Sequence, residues 1–269
     1  MVDDIEKLMK LEEEMHNYDG DDCVISSMEM QKILSSRPAV VRYKSDIQGL
    51  DDITDGFGEG QLIALSGWTK CGKTSFCQTL TYNYASQGIP CFWFTFELSD
   101  YEFIEKYGSS LPLFYMPKKL VPYDIPWIEK KIIEARIKHN IKVVFIDHLH
   151  FLVNLNTHHN LSTEIGKVIR QLKTMAINHK LVIFILSHTS KPKAGVAPSI
   201  TDMRDSSFTA QESDVTMIIS RKDLDETNPD SYLDTTAKLR IGANRHNGKR
   251  GIVKLNYKDG FYRQDWSTI

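Results

Sequence analysis

Residues 67–75 read GWTKCGKTS. Gly67, Gly72, Lys73 and Thr74 fit the spacing G-x-x-x-x-G-K-[ST], which average residue usage yields by chance in a chain this long about once in a hundred. Glycines at these places let successive backbone N–H groups turn inward around phosphate oxygens. Lys73 adds positive charge near a β- and γ-phosphate. Thr74 offers a hydroxyl to Mg²⁺, and Ser75 belongs to the same nucleotide-binding set. Such a loop needs a strand before it and a helix after it. QLIALSG (61–67) is a short apolar strand, and 74–86 repeats Phe76, Leu80 and Tyr84 at helical spacing.

Further strands follow. PCFWFTFE (90–97) is apolar and β-rich, IKVVFID (141–147) is the clearest strand, LVIFILSH (181–188) is another, and VTMIIS (215–220) comes next. LFYMPK (113–118) adds a further expected strand. Helices are expected at 126–139, with Pro126 in the first turn, and at 162–179. AKLRIGANR (237–245) and GIVKLNY (251–257), around Asn247-Gly248, read as a closing β-hairpin. Strands alternating with helices imply an α/β fold: a mostly parallel, twisted sheet with helices on both faces and a C-terminal β-hairpin.

Three of these strands end on a group suited to phosphate chemistry. Asp147 closes VVFID at the carboxyl edge of the sheet, where open α/β folds bind ligands, and would hold a metal together with Thr74. Glu97 closes FWFTFE and could polarise a water beside a γ-phosphate, or simply serve a helix dipole. His188 closes VIFILSH and could hydrogen-bond that phosphate. Phosphate loop, Glu97, Asp147 and His188 are thus expected to converge from four strand ends.

The formal net charge of the 269 residues is −2, so there is no global basic footprint for nucleic acid, and any contact with it must be local. Cys23, Cys71, Cys77 and Cys91 have neither C-x-x-C nor zinc-like spacing, as reduced cytosolic cysteines would. MVDDIEKLMKLEEEM is acidic and has no apolar signal core, and no apolar run approaches a membrane span. The expected location is a cytoplasmic-type compartment or an organelle matrix, without membrane contact. Residues 3–16 and 26–35 read as two helices broken at DGDD (19–22). They divide the chain into an arm, 1–45, and an ATPase domain, 46–269.

In order along the chain stand GLDDITDGFGEGQLIALSG, the phosphate loop, FTFELS, VVFIDHLHFL, ILSH, ITDMRDSSFTAQESDVTMIISR and ANRHNGKRG. Together, over about residues 45–264, they resemble the RecA-like motor domain of DnaB-type replicative helicases. Phage and mitochondrial hexameric helicases are closer still in the histidine after the fourth strand and in the Asn-Arg pair. The resemblance implies a RecA-like P-loop NTPase using ATP and Mg²⁺, a ring-shaped motor translocating on single-stranded DNA as a homo-oligomer, a hexamer. It also implies a primase or loader as partner. Lys73 and Thr74 would bind phosphates and Mg²⁺, Glu97 would be the catalytic base, Asp147 the metal-linked acid and His188 the phosphate sensor. Arg204, Asp205, Ser206 and Ser207 match the loop that grips single-stranded DNA, and 154–161 the other channel loop. Arg245 matches the arginine finger that reaches the next subunit's ATP site. The family usually has lysine two residues before that arginine; here Ala243 stands there, with Lys249 or Arg250 as substitutes. The family's collar or primase has no counterpart, so the arm would act as the subunit tether. The alternative is a RecA-fold DNA-dependent ATPase in recombination or signalling without unwinding.

Overall fold

A computed structural model describes residues 2–153, 161–189, 207–221 and 235–266. The chain forms two units, 1–40 and 41–269. In the first, α1 (Val2–His16) and α2 (Ser27–Ser36) are helical. Helix α2 starts on a capping box: the Glu29 N–H donates to the Ser26 hydroxyl at 3.2 Å, and the Ser26 N–H to the Glu29 carboxylate at 2.8 Å. Ile5, Leu8, Met9 and Met15 of α1 stay exposed.

The second unit opens with a two-stranded ribbon, β1 (Arg42–Tyr43) against β2 (Phe57–Gly58), around the short helix α3 (Gln48–Thr54). Then come β3 (Leu62–Gly67), α4 (Lys73–Ser86), β4 (Cys91–Thr95), α5 (Asp100–Glu105), α6 (Ile125–His139) and β5 (Val143–Asp147). A 3-10 turn (Leu149–Leu152) follows, then α7 (Leu161–His179), β6 (Val182–His188), α8 (Ser207–Glu212) and β7 (Val215–Arg221). The chain closes with β8 (Thr236–Asn244), β9 (Gly251–Lys258) and β10 (Phe261–Gln264).

The main sheet has the order β10-β9-β8-β7-β3-β6-β5-β4. From β4 to β7 every neighbouring pair is parallel; from β7 to β10 every pair is antiparallel. The central strands are buried on both faces, as a parallel sheet covered by helices requires. Alternate residues serve two cores. Ile63, Leu65, Trp93, Phe145 and Phe184 meet Phe76, Leu80 and Tyr84 of α4. Leu62, Ala64, Phe94, Val144, Ile146 and Ile183 meet Ile128 and Ile132 of α6 and Ile169 and Leu172 of α7. On the α4 side an aromatic ladder crosses three strands: Trp93 stacks on Phe145 at 4.6 Å, and Phe145 on Phe184 at 4.9 Å. Each such pair contributes about 1 kcal/mol beyond its buried area. The Trp93 indole N–H stays satisfied by donating to the Thr81 hydroxyl at 2.9 Å.

One expectation is corrected. LFYMPK forms no strand; it makes a single parallel bridge, Phe92 to Tyr115, because Pro112 precedes it and Pro117 lies within it, which limits ladder hydrogen bonding to one residue. The closing hairpin forms as expected: β8 and β9 pair antiparallel around six residues that include Asn247-Gly248, and the Gly248 N–H donates to the Asn244 carbonyl at 2.9 Å. β10 adds a third antiparallel strand that the sequence reading left out.

Candidate nucleotide site

The site lies at the carboxyl edge of the parallel strands. Register sets it: Gly67 at the end of β3 pairs with His188 at the end of β6, and Thr95 at the end of β4 pairs with Asp147 at the end of β5. Gly67 has no room for a side chain. A Cβ there would lie 2.5 Å from the Ile219 carbonyl oxygen and 2.6 Å from the Cys71 sulfur. Gly72 caps α4 with φ of 97°, left-handed backbone, and its missing Cβ leaves space taken by the Tyr262 hydroxyl. The first-turn N–H groups of α4, at Lys73, Thr74 and Ser75, have no helical carbonyl to pair with and carry the positive end of the helix dipole.

Lys73 is buried, and its ammonium donates to three acceptors: the Gly67 carbonyl at 3.1 Å, the Trp68 carbonyl at 2.9 Å and Nδ1 of His188 at 2.9 Å. Accepting at Nδ1 leaves the neutral His188 ring with its proton on Nε2. Burial and the Lys73 charge hold the His188 pKa below its usual value, so the ring is a neutral donor.

The Thr74 hydroxyl donates to Oδ2 of Asp147 at 2.6 Å. Asp147 is fully buried, and its Oδ1 has no partner. Burial and the nearby Glu97 charge raise its pKa to about 6, against the lowering effect of the Thr74 hydrogen bond and of Lys73. A buried carboxylate with one orphan oxygen beside a hydroxyl is a donor set suited to a hard divalent cation.

Glu97 lies outside β4, two residues past Thr95, and is exposed. The strand stops earlier than expected: the Phe96 N–H donates to the Asp147 carbonyl at 2.6 Å, the last ladder bond to β5, which itself ends at Asp147. Glu97 remains close enough for its charge to act on both Asp147 and His188.

Two further histidines join the site without having been assigned a role from sequence. His148 is buried against His188, ring centroids 4.0 Å apart, and its Nδ1 accepts from the His150 backbone N–H at 3.3 Å. The signal was present as Asp-His-x-His directly after a strand. Cys71 is buried, which pushes its thiol pKa up, so it serves as a neutral filler in the loop.

Arg245 is not brought to this site. It follows β8, whose Asn244 pairs with Val215 at the start of β7, while β7 runs parallel to β3. Arg245 therefore sits at the amino edge, separated from Gly67 by the length of β3, about 13 Å. It is exposed, and its N–H donates to the Asp214 carbonyl at 2.8 Å. Arg204, Asp205, Ser206, the side chain of Ser207 and most of 154–161 lie outside the described residues. Among the described residues, no helix is long and apolar enough to cross a membrane.

The family description "DnaB-like helicase C terminal domain" matches residues 118–265, and a KaiC ATPase description matches 43–110. The replicative DNA helicase DnaB of Treponema pallidum (strain Nichols) is 26% identical over 259 residues, covering 82% of this chain and 57% of that protein. A probable replicative DNA helicase of Trieres chinensis is 24% identical over 263 residues, covering 84% and 57%. The chain thus spans little more than half the length of these curated relatives. In fold it is similar to a solved ATPase domain, with a TM-score of 0.72 and 19% identity over 88% of this chain and 95% of that one. A DnaB-like replicative helicase studied for its interactions with primase gives a TM-score of 0.74 and 18% identity over 95% and 71%. With a mostly parallel RecA-like sheet, a phosphate loop at its carboxyl edge and a family match over more than half its length, the chain belongs to the DnaB-like helicase C-terminal domain family.

Proposed function

We propose that the chain is an ATP-driven motor that assembles as a ring, a hexamer, and translocates along single-stranded DNA to separate duplex. The observation that carries this reading is the pair of contacts that joins the phosphate loop to two other strand ends, Thr74 to Asp147 and Lys73 to His188. In this reading the 67–75 backbone and Lys73 hold the β- and γ-phosphates of ATP. Thr74 and the orphan oxygen of Asp147 fit Mg²⁺, which when bound neutralises charge on those phosphates. Glu97 orients the attacking water, and the Nε2–H of His188 donates to the γ-phosphate. Because Arg245 stands at the opposite sheet edge, it acts on the ATP held by an adjacent copy, where a guanidinium stays charged and bridges two phosphate oxygens. Arg204 to Ser207 and the 154–161 segment grip the strand. The arm, with its unpartnered apolar stripe on α1, serves as the tether between copies, and a primase or loader is the expected accessory partner.

The test is ATP turnover by the purified chain with and without single-stranded DNA, beside Lys73→Ala. Stimulation by DNA that disappears in the variant supports the motor. Turnover indifferent to DNA would sink it. The KaiC match over 43–110 favours a second reading, a DNA-dependent ATPase of the same fold that does not unwind. Stimulated turnover without strand separation would select it.

A further inference from the structure

The antiparallel end of the sheet carries a face that the nucleotide site does not use. On the side opposite Leu239, Val253 and Leu255, register aligns Lys238 with Lys254, Arg240 with Ile252, and Asn256 with Arg263, while Lys258 follows Asn256 on the same side; at β10 this side borders α4, where Phe261 packs on Tyr82 and Arg263 lines a pocket with Thr79 and Tyr82. Lys238, Arg240, Lys254, Lys258 and Arg263 are all exposed, whereas the alternate residues Leu239, Val253 and Leu255 enter the core. None of the five cations forms an ion pair among the described residues. From 236 to 266 the chain has eight Lys and Arg against two Asp, in a protein whose net charge is −2. Of the two, Asp259 follows Lys258 at the end of β9, and Asp265 follows β10 with its N–H donating to the Lys254 carbonyl at 2.9 Å, so one carboxylate stands beside Lys254.

We propose that this β8–β9–β10 face is a docking surface for the phosphate backbone of duplex DNA. The cations repeat about 7 Å apart along a strand and about 5 Å across strands, a two-dimensional field rather than a line. A duplex offers matching charge density, one phosphate charge per about 1.7 Å of axis. Single strands are gripped by stacking their bases on aromatic rings. The strands of this face offer none: their exposed apolar residue is Ile252, Phe261 is packed on Tyr82 with ring centroids 4.7 Å apart, and the exposed Trp266 stands beyond the end of β10. Contacts limited to phosphates imply binding without sequence preference. The surface shares with the proposed motor only the premise that the chain works on DNA; it needs no nucleotide.

The test is fluorescence anisotropy of the full chain, without nucleotide, on a 20-base-pair duplex (about two turns), a single strand of equal length and polyglutamate, over a range of salt. The variant is Lys238→Gln/Arg240→Gln/Lys254→Gln, with Lys238→Arg/Lys254→Arg as the charge-preserving control and circular dichroism as the check on folding. The expected result is a loss of duplex affinity of about tenfold or more, with the salt slope shallower by about 0.9 for each contact removed. The control should bind as the wild type does. Unchanged duplex binding and slope in the triple variant would overturn the proposal. So would polyglutamate binding that falls while duplex binding does not, which would assign the face to an acidic protein. If the triple variant unfolds, Arg240→Gln alone carries the test, with a slope change of about 0.9 expected and no change overturning. Failure of the motor reading looks different: turnover indifferent to single-stranded DNA, with the duplex result intact.

Discussion

At Gly72 two constraints coincide: a φ of 97° and a tyrosine hydroxyl where a Cβ would stand. Gly72→Ala is therefore expected to lower the melting temperature and abolish nucleotide binding. Adding Tyr262→Phe should recover part of the melting temperature. The left-handed backbone still costs about 1–2 kcal/mol, so recovery stays incomplete. His148 gives a pH dependence. Burial, His188, His150 and Lys73 disfavour its charged form and hold its pKa down at about 2. A folded-state pKa below the unfolded value gives stability that is full above about 6.5 and is lost as pH falls. Between pH 7 and 5.5 that loss reaches about 1 kcal/mol. Asp147, whose pKa is held up at about 6, works in the opposite direction over this window, so His148 is read by difference: on going from pH 7 to 5.5 the urea midpoint of His148→Phe should fall less, or rise more, than that of the wild type. An equal change in the two would remove His148 as a source of the pH dependence.

Among the elements, the turn between β8 and β9 is fixed by an unusual anchor. Asn244 and Asn247 both donate to the Ile53 carbonyl at the end of α3, at 3.1 and 2.9 Å, and Asn244 also donates to Asn247 at 2.7 Å. Asn247→Ala removes two of these bonds and the acceptor for the Lys249 N–H, a loss of about 1–2 kcal/mol. If Arg245 acts on a neighbouring copy, the variant should keep its KM for ATP and lose kcat. A rise in KM alone would argue against that role. This anchor was not legible in the sequence, because it joins residues about 190 positions apart. The parallel strands were legible, since burial on both faces leaves continuous apolar runs such as VVFID and VIFIL. So were Lys73, Thr74, Asp147 and His188, which the fold brings together at one edge. Glu97 was located but assigned to a strand that ends at Thr95, because backbone hydrogen bonding, and not apolar character, decides where pairing stops. His148 went unassigned because its packing against His188 depends on the order of β5 and β6 in the sheet.

For the whole molecule, the division at residue 40 leaves every buried core residue in the second unit. A chain beginning at Val41 retains both cores and the aromatic ladder, so its melting temperature should match that of the full chain within about 2 °C. If the arm tethers copies, the shortened chain should sediment as a monomer where the full chain sediments as a ring. A ring without the arm would remove the tether role. The threefold engagement of Lys73 has a consequence for the working cycle. An incoming phosphate does not meet a waiting charge; it competes for an ammonium already hydrogen-bonded on three sides. Affinity is then the difference between two sets of bonds, and it is smaller than the charge alone would give. The same three acceptors weigh against every phosphate, substrate or product, to a similar extent, so they set affinity at Lys73 without favouring either direction.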